Sequence, residues 1–320
     1  MPSPSEFDLI DRYFTGLDRR EGVLLGVGDD AALLASPDGG EALAVTIDTL
    51  VSGIHFDPAC DPAALGHKLL AVSLSDLAAM GAEPLWATLA LTLPSADEAW
   101  LDGFSDGLAT LAQEYGVALV GGDTTRGPLT LTLQAAGRVP PEQALRRAGA
   151  RPGDAIYVTG TLGDAALALR DPTDLADGER SRLRARLERP TPRVAAGLAL
   201  RGLASAAIDI SDGLAADLGH VLDASGVGAT VELSVLPLSS PLHQVVGTGD
   251  WALPLAGGDD YELCFTVPEG RVAELEPLDL GIGFTRIGTA DTEPGLRLLA
   301  PDGSPYQPAQ AGYDHFGSTP

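Results

Sequence analysis

Short apolar runs broken by glycine and aspartate fill this chain, and the spacing within each run separates strands from helices. Val23 to Val27, Ala42 to Ile47 and Thr88 to Leu93 read as strands, the last alternating as a half-buried strand does. Leu129 to Gly137 reads as another. Ahead of them, Phe7, Ile10, Phe14 and Leu17 share one helical face and Ser5 with Asp8 forms a capping box, which predicts an amphipathic helix laid over a sheet. Further helices are expected at Ala63 to Leu70, at Ser75 to Met80, where Gly81 and Pro84 stop it, and at Asp97 to Tyr115.

Pro140-Pro141 and the polar stretch to Gly153 mark a domain boundary, because a double proline suits neither a strand interior nor a helix interior. The expected units are residues 1–140 and 150–320. The second opens with a strand at Ile156 to Thr159, then a charged helix at Glu179 to Leu187 and a more apolar one at Pro192 to Leu203. Ala206 to Ile210, Ala229 to Leu233, Leu263 to Val267 and Leu296 to Leu299 read as strands, with a helix from Leu214 to Ala224 ended by Gly226. Beyond Pro301 the composition predicts a Pro/Gly-rich tail. Val72 to Met80 and Ile208 to Leu222 each contain a Ser-Asp pair beside a strand and a helix, a hint of two related halves.

Composition narrows the function. At 320 residues and 45% hydrophobic the chain has material for two cores, and a net charge of -25 disfavours nucleic acid and anionic membrane as partners. No apolar stretch approaches the roughly 20 residues of a membrane span. Lys68 is the one lysine, and no Gly-rich loop followed by Lys and Ser/Thr exists, which excludes a P-loop enzyme. Cys60 and Cys264 lack metal-ligand spacing and read as free buried thiols of a reducing compartment. With no basic, apolar leader at residues 2–14, the cytoplasm is the expected location.

Six acidic clusters stand after apolar runs: Asp29-Asp30, Asp48, Asp76, Asp123, Asp209 with Asp212, and Asp259-Asp260. Each has an ordinary explanation. Gly28-Asp29-Asp30 suits a turn, and Ser75-Asp76 and Ser211-Asp212 stand where N-caps stand. Gly121-Gly122-Asp123 and Gly257-Gly258-Asp259 are harder to dismiss, since paired glycines let the backbone approach a ligand. Taken together, converging carboxylates need a counter-charge that one lysine and a few arginines do not supply. Oxygen ligands without a His or Cys cluster point to a hard ion, Mg²⁺ before Zn²⁺, shared with phosphate groups. His55 and Arg147 are candidate ligand contacts; His67, His220, His243 and His315 read as structural or exposed.

The blocks Gly26-Val27-Gly28-Asp29-Asp30-Ala31-Ala32, Asp48-Thr49-Leu50-Val51 with His55-Phe56, Leu74-Ser75-Asp76-Leu77-Ala78-Ala79-Met80-Gly81-Ala82 and Gly121-Gly122-Asp123-Thr124-Thr125-Arg126-Gly127 resemble one known family. Asp209-Ile210-Ser211-Asp212-Gly213-Leu214, Gly257-Gly258-Asp259-Asp260-Tyr261-Glu262-Leu263 and Gly312-Tyr313-Asp314-His315-Phe316 extend the likeness from Phe7 to Phe316. The family is that of thiamine-monophosphate kinases, within the aminoimidazole ribonucleotide synthetase-like superfamily. The resemblance implies a two-domain α+β fold, with N-terminal sheets pairing in a homodimer and a larger C-terminal α/β sandwich. It implies transfer of the γ-phosphoryl group of ATP to thiamine monophosphate in a Mg²⁺-containing cleft. It places metal at Asp30, Thr46, Ile47, Asp48, Asp76, Asp123, Asp209 and Asp212, nucleotide at Gly122, Asp123, Arg147 and Ser211, and thiamine phosphate at His55, Asp259 and Tyr313. Ile47, Ser73 and Asp259 depart from residues usual in the family, so Ile47 would act through its backbone.

Two superfamily relatives fit poorly. Selenophosphate synthetase requires a reactive Cys or selenocysteine and a Lys near its start, and none precedes Cys60; the carbamoyl-dehydrating hydrogenase-maturation enzyme requires a C-terminal Cys, where this sequence reads Gly317-Ser318-Thr319-Pro320. An aminoimidazole ribonucleotide synthetase-like ligase and a non-catalytic divalent-cation-binding protein are the alternatives, separated from the kinase by the substrate that supports ADP release.

Overall fold

Val23–Leu25 (β1), Ala32–Leu34 (β2) and Ala42–Val51 (β3) form an antiparallel meander, each strand bounded by glycine or aspartate where the chain turns. In this computed structural model the described residues are 10, 21–36, 39–247, 249–310 and 312–313. The expected N-terminal helix lies outside them apart from Ile10, as does His315. Pro62–Ala79 (α1), Glu83–Leu93 (β4), Glu98–Tyr115 (α2), Ala118–Arg126 (β5) and Thr130–Val139 (β6) complete the first half, whose six strands are ordered β1-β2-β3-β6-β4-β5. β5 forms one edge and is exposed along its whole length.

The expected pair of helices at Ala63 to Leu70 and Ser75 to Met80 is one continuous helix. It starts where Asp61 accepts from the Ala63 amide at Pro62 and ends before Gly81, which takes φ +61°. Fourteen of its 18 residues are buried, so apolar side chains surround it and no single stripe marks its course. Ser75-Asp76 therefore lies inside a helix rather than at a cap, while Ser211-Asp212 lies between a strand and a helix. The suggested likeness of the two halves does not extend to these pairs.

The second half contains Ala155–Thr159 (β7), Asp164–Leu169 (α3), Asp177–Glu188 (α4), Val194–Leu200 (α5), Ala206–Ile210 (β8), Leu214–Ser225 (α6) and Gly228–Glu232 (β9). Glu262–Val267 (β10), Phe284–Asp291 (β11), Gly295–Leu299 (β12) and Pro305–Tyr306 (β13) close a seven-stranded sheet ordered β13-β12-β9-β11-β7-β10-β8. The segment beyond Pro301, expected to be a tail, thus contributes a strand, paired through Leu298 and Tyr306. Both faces of β7 are buried. Ala155 and Tyr157 join the core containing α1, and Ile156 and Val158 join a second core under α6. This explains an unbroken apolar run in place of alternation.

α1 is the layer between the sheets. Leu69, Leu74 and Leu77 share one core with Leu131 and Leu133 of β6 and with Leu263 and Phe265 of β10. Edge strand β8 is covered by the connection between the halves, where the Ala207 amide donates to the Arg146 carbonyl.

Candidate active site

Three elements and one loop deliver acids to one place. On β3 the two-residue period sends Thr46 and Asp48 to one face and Ile47 to the other, where its side chain is 65% exposed. α1 contributes Ser73, Ser75 and Asp76, β8 contributes Asp209, and the loop after β1 contributes Asp29 and Asp30. Asp30, Asp76 and Asp209 each offer a carboxylate oxygen, and these oxygens lie within 4.8 Å of one another.

Hydroxyls fix the orientation of these acids. Ser73 Oγ donates to Asp48 at 2.7 Å, Ser75 Oγ donates to Asp209 at 2.6 Å, and the Thr46 hydroxyl donates to Asp76. Ser73 thus has a defined task at a position where the family usually differs. Arg147 donates through Nε to Asp30 Oδ1 at 3.0 Å and through Nη2 to the same oxygen, and its backbone amide faces both oxygens of Asp29 at 3.2–3.3 Å. Asp30 Oδ2 is buried and has no hydrogen-bond partner among the described residues.

One arginine does not neutralise such a cluster. Burial pushes Asp48 up to about 6; burial and then Asp30 push Asp209 up to about 8. Asp76 is held well above the usual carboxylate range by burial and by Asp48, Asp209 and Asp30. Burial raises Asp30 against the pull of Arg147, and burial with Asp30 raises Asp29 to about 6. The set is all oxygen and includes a buried orphan lone pair, which suits a hard divalent cation.

The remaining expected ligands are distributed around this centre. Asp212 and Ser211 follow β8 directly, but neither caps α6. Asp217, inside α6, instead gathers the loop before it, its Oδ2 accepting from the amides of Ser211, Asp212 and Gly213 at 3.0–3.1 Å. Sequence reasoning missed Asp217, whose signal was an acid one turn into a helix that begins with glycine. Gly122 and Asp123 lie on β5. The row Asp48–Leu133–Leu89–Gly122 crosses four strands, so Asp123 is about 14 Å along the sheet from Asp48 at ~4.8 Å per strand. Within one chain the structure does not bring it into the cluster. Gly122 has no room for a side chain, since a Cβ would stand 1.9 Å from the Leu89 carbonyl oxygen.

Asp259 sits in the left-handed region at φ +67°, and its amide donates to the Ser211 carbonyl at 2.9 Å, which places it beside the acid centre. Its Oδ2 pairs with Lys68 Nζ at 3.0 Å and its Oδ1 accepts from the Tyr261 hydroxyl at 2.8 Å. His55 Nδ1 accepts from the Val51 amide at 3.0 Å, and Tyr313, half-exposed, donates its amide to the Asp212 carbonyl at 3.1 Å. His55 and Lys68 line a cavity of about 540 Å³ that Leu169, Arg180 and Arg184 close from α3 and α4. That volume is ordinary for a small-molecule site.

Two acids behind the site are anchors: Glu262, which sequence reasoning missed, and Asp260, expected with Asp259 among the clustered ligands. Glu262 is fully buried and accepts from Thr159, Arg186 and Arg193, the first at 2.6 Å, tying α4 and the start of α5 to β10. Asp260 accepts from the Gly163 amide at 2.8 Å. Of the two thiols, Cys264 is buried as expected, but Cys60 is only partly buried at the cavity.

The family described as AIR synthase related protein, N-terminal domain, matches residues 28–139, and its C-terminal domain matches residues 151–277. The thiamine-monophosphate kinase of Escherichia coli K12 is 52% identical over 98% of both chains. The crystal structure of thiamine-monophosphate kinase from Stenotrophomonas maltophilia is 49% identical with a TM-score of 0.79, covering 94% of this chain and 98% of that one. The structure of AaThiL, complexed with AMPPCP and TMP, is 31% identical with a TM-score of 0.83, covering 97% of each chain.

Proposed function

The chain belongs to the thiamine-monophosphate kinase family of AIR synthase related proteins, and we propose that its acid cluster is where ATP passes a phosphoryl group to thiamine monophosphate, giving thiamine diphosphate. One observation carries this placement: Asp30, Asp76 and Asp209 converge within 4.8 Å while the buried Oδ2 of Asp30 has no partner among the described residues. Asp30, Asp76 and Asp209, with Asp48 and Asp212 beside them, would hold Mg²⁺. Thr46, Ile47 and Asp123 complete the set assigned from the family. When bound, the cations supply charge neutralisation between the two phosphate groups and polarisation of the transferred one.

The chain's own work is binding and orientation. The acceptor is a phosphate monoester with a second pKa near 6, already largely ionised at neutral pH, so no side chain need remove a proton. What opposes reaction is repulsion, roughly 4 kcal/mol for each like pair at about 4 Å and an effective dielectric near 20. Ser73, Ser75 and Thr46 orient the acids that would hold the cations offsetting it. Gly122, Asp123, Arg147 and Ser211 are assigned to the nucleotide, and His55, Asp259 and Tyr313 to thiamine phosphate. AaThiL, solved with AMPPCP and TMP on the same fold, supports the pair of substrates.

Residues 1–140 are assigned to metal and nucleotide binding and to dimerisation, and residues 150–320 to the second domain. A homodimer is supported by exposed β5 with Leu119 and Val120 uncovered, and by the distance of Asp123 from the cluster in its own chain, which a second copy would remedy. A cytoplasmic location fits two unpaired thiols and the bacterial kinases it resembles, and no helix among the described residues is long and apolar enough to cross a membrane. The test is ADP release with MgATP and either thiamine monophosphate or free thiamine, with product identified by chromatography. Only the monophosphate should react. Product from free thiamine at a comparable rate overturns the base-free mechanism, and none from the monophosphate overturns the substrate.

A further inference from the structure

Lys68, the one lysine in 320 residues, is not on a surface. It projects from α1 with its side chain 6% exposed, lines the 540 Å³ cavity and pairs with Asp259 Oδ2 at 3.0 Å. Asp259 is held at both oxygens, by Lys68 on one side and by the Tyr261 hydroxyl on the other. Both Asp259 and Tyr261 have positive φ, +67° and +50°, a conformation that side chains other than glycine's adopt at a cost. An ion pair between halves of the chain thus joins the amide bonds of Asp259 to Ser211 and of Tyr261 to Ile210 in holding a strained loop beside the acid cluster. A buried ammonium is costly to keep unless its partner is needed there.

We propose that Lys68 is a positioning residue for the acceptor, setting the orientation of Asp259 so that this carboxylate meets the cationic ring of thiamine monophosphate in a single pose. The inference rests on the assignment of Asp259 to the acceptor. With Lys68 absent, Asp259 loses the partner on Oδ2, and the loop loses its tie to α1. The amide bond from Asp259 to the Ser211 carbonyl does not involve the lysine, so the nucleotide assigned to Ser211 keeps its place.

The test is steady-state kinetics on Lys68→Met, Lys68→Arg, Asp259→Asn and the Lys68→Met/Asp259→Asn double variant. Lys68→Met should raise KM for thiamine monophosphate about tenfold with KM for ATP unchanged, Lys68→Arg should recover part of that, and the double variant should be no worse than either single. Additive losses, or an unchanged acceptor KM in Lys68→Met, overturn the proposal. An unchanged acceptor KM in Asp259→Asn instead removes the assignment of Asp259, and the proposal with it. Should Lys68→Met fail to fold, nitrogen-15-labelled lysine gives the unaltered protein a single Nζ resonance. That resonance should shift when thiamine monophosphate is added, and an unmoved signal at saturation overturns the proposal.

Discussion

Ser75 Oγ donates to Asp209 Oδ2 across 2.6 Å, from a helix of the first half to a strand of the second. The bond is buried on both sides and aims one carboxylate at the other two. Ser75→Ala should leave the fold intact, cost about 1–3 kcal/mol of stability through the unsatisfied acid, and weaken Mg²⁺ activation roughly tenfold or more. A magnesium titration of ADP release reads the second effect; an unaltered half-saturating concentration would show that the hydroxyl does not orient Asp209.

Asp48→Asn, Asp76→Asn and Asp209→Asn should each abolish turnover without lowering thermal stability, since each puts a neutral side chain of the same shape where burial and neighbouring acids disfavour the carboxylate. Metal-free Asp76→Asn should melt at or above the temperature of the unaltered protein. Retained Mg²⁺-dependent turnover in all three, at equal stability, would remove the metal assignment.

Metal-free stability should fall as pH rises. Asp48 and Asp209 bind protons more tightly folded, at about 6 and about 8, than at the ordinary 3.8, so the folded state holds extra protons between these values. Their contribution is complete below about pH 4 and is lost progressively up to about pH 8. Melting in chelator at about pH 5 and about pH 8 should show the decline, with Mg²⁺ giving its larger gain at the higher pH. A midpoint that is flat across this range contradicts the electrostatics.

Arg193→Ala should destabilise by roughly 3–5 kcal/mol, because Glu262 keeps its buried charge while losing the fork that approaches both its oxygens. Arg186 remains and limits the loss. The denaturant midpoint reads it. A change below 1 kcal/mol, on the scale of about 0.5 kcal/mol expected of surface sites, would mean the network is dispensable.

Asp76→Asn and Asp123→Asn, each inactive alone, should recover about a quarter of full activity when co-refolded, if β5 of one copy serves the cluster of the other. Half the dimers are then mixed, and each mixed dimer contains one intact site. No recovery would assign Asp123 to its own chain.

Strands such as β8 and β10 were legible because they are short apolar runs ended by acids, and the acid ends located the site. Less was legible where burial is two-sided. α1 was read as two helices because it has no polar face, and Ser75-Asp76 was read as a cap because a pair of polar residues inside such a helix has no periodic signature. β5 escaped because Gly121-Gly122-Asp123-Thr124-Thr125 is polar and unbranched in its first half, with pairing to β4 supplied by the fold. Asp217, Glu262 and Lys68 act through partners 4 to 191 residues away, a relation visible only once the chain has closed.

The position of α1 between two sheets governs how the chain can be made. Its second apolar flank is completed by β8 and β10, which end at residues 210 and 267. At the 5–20 residues per second of synthesis, that flank stays bare for on the order of ten seconds or more after α1 emerges. Until then the first half has an uncovered hydrophobic surface. Expressed by itself it should aggregate, and co-expression with the separate second half should restore solubility only if the two meet before it does.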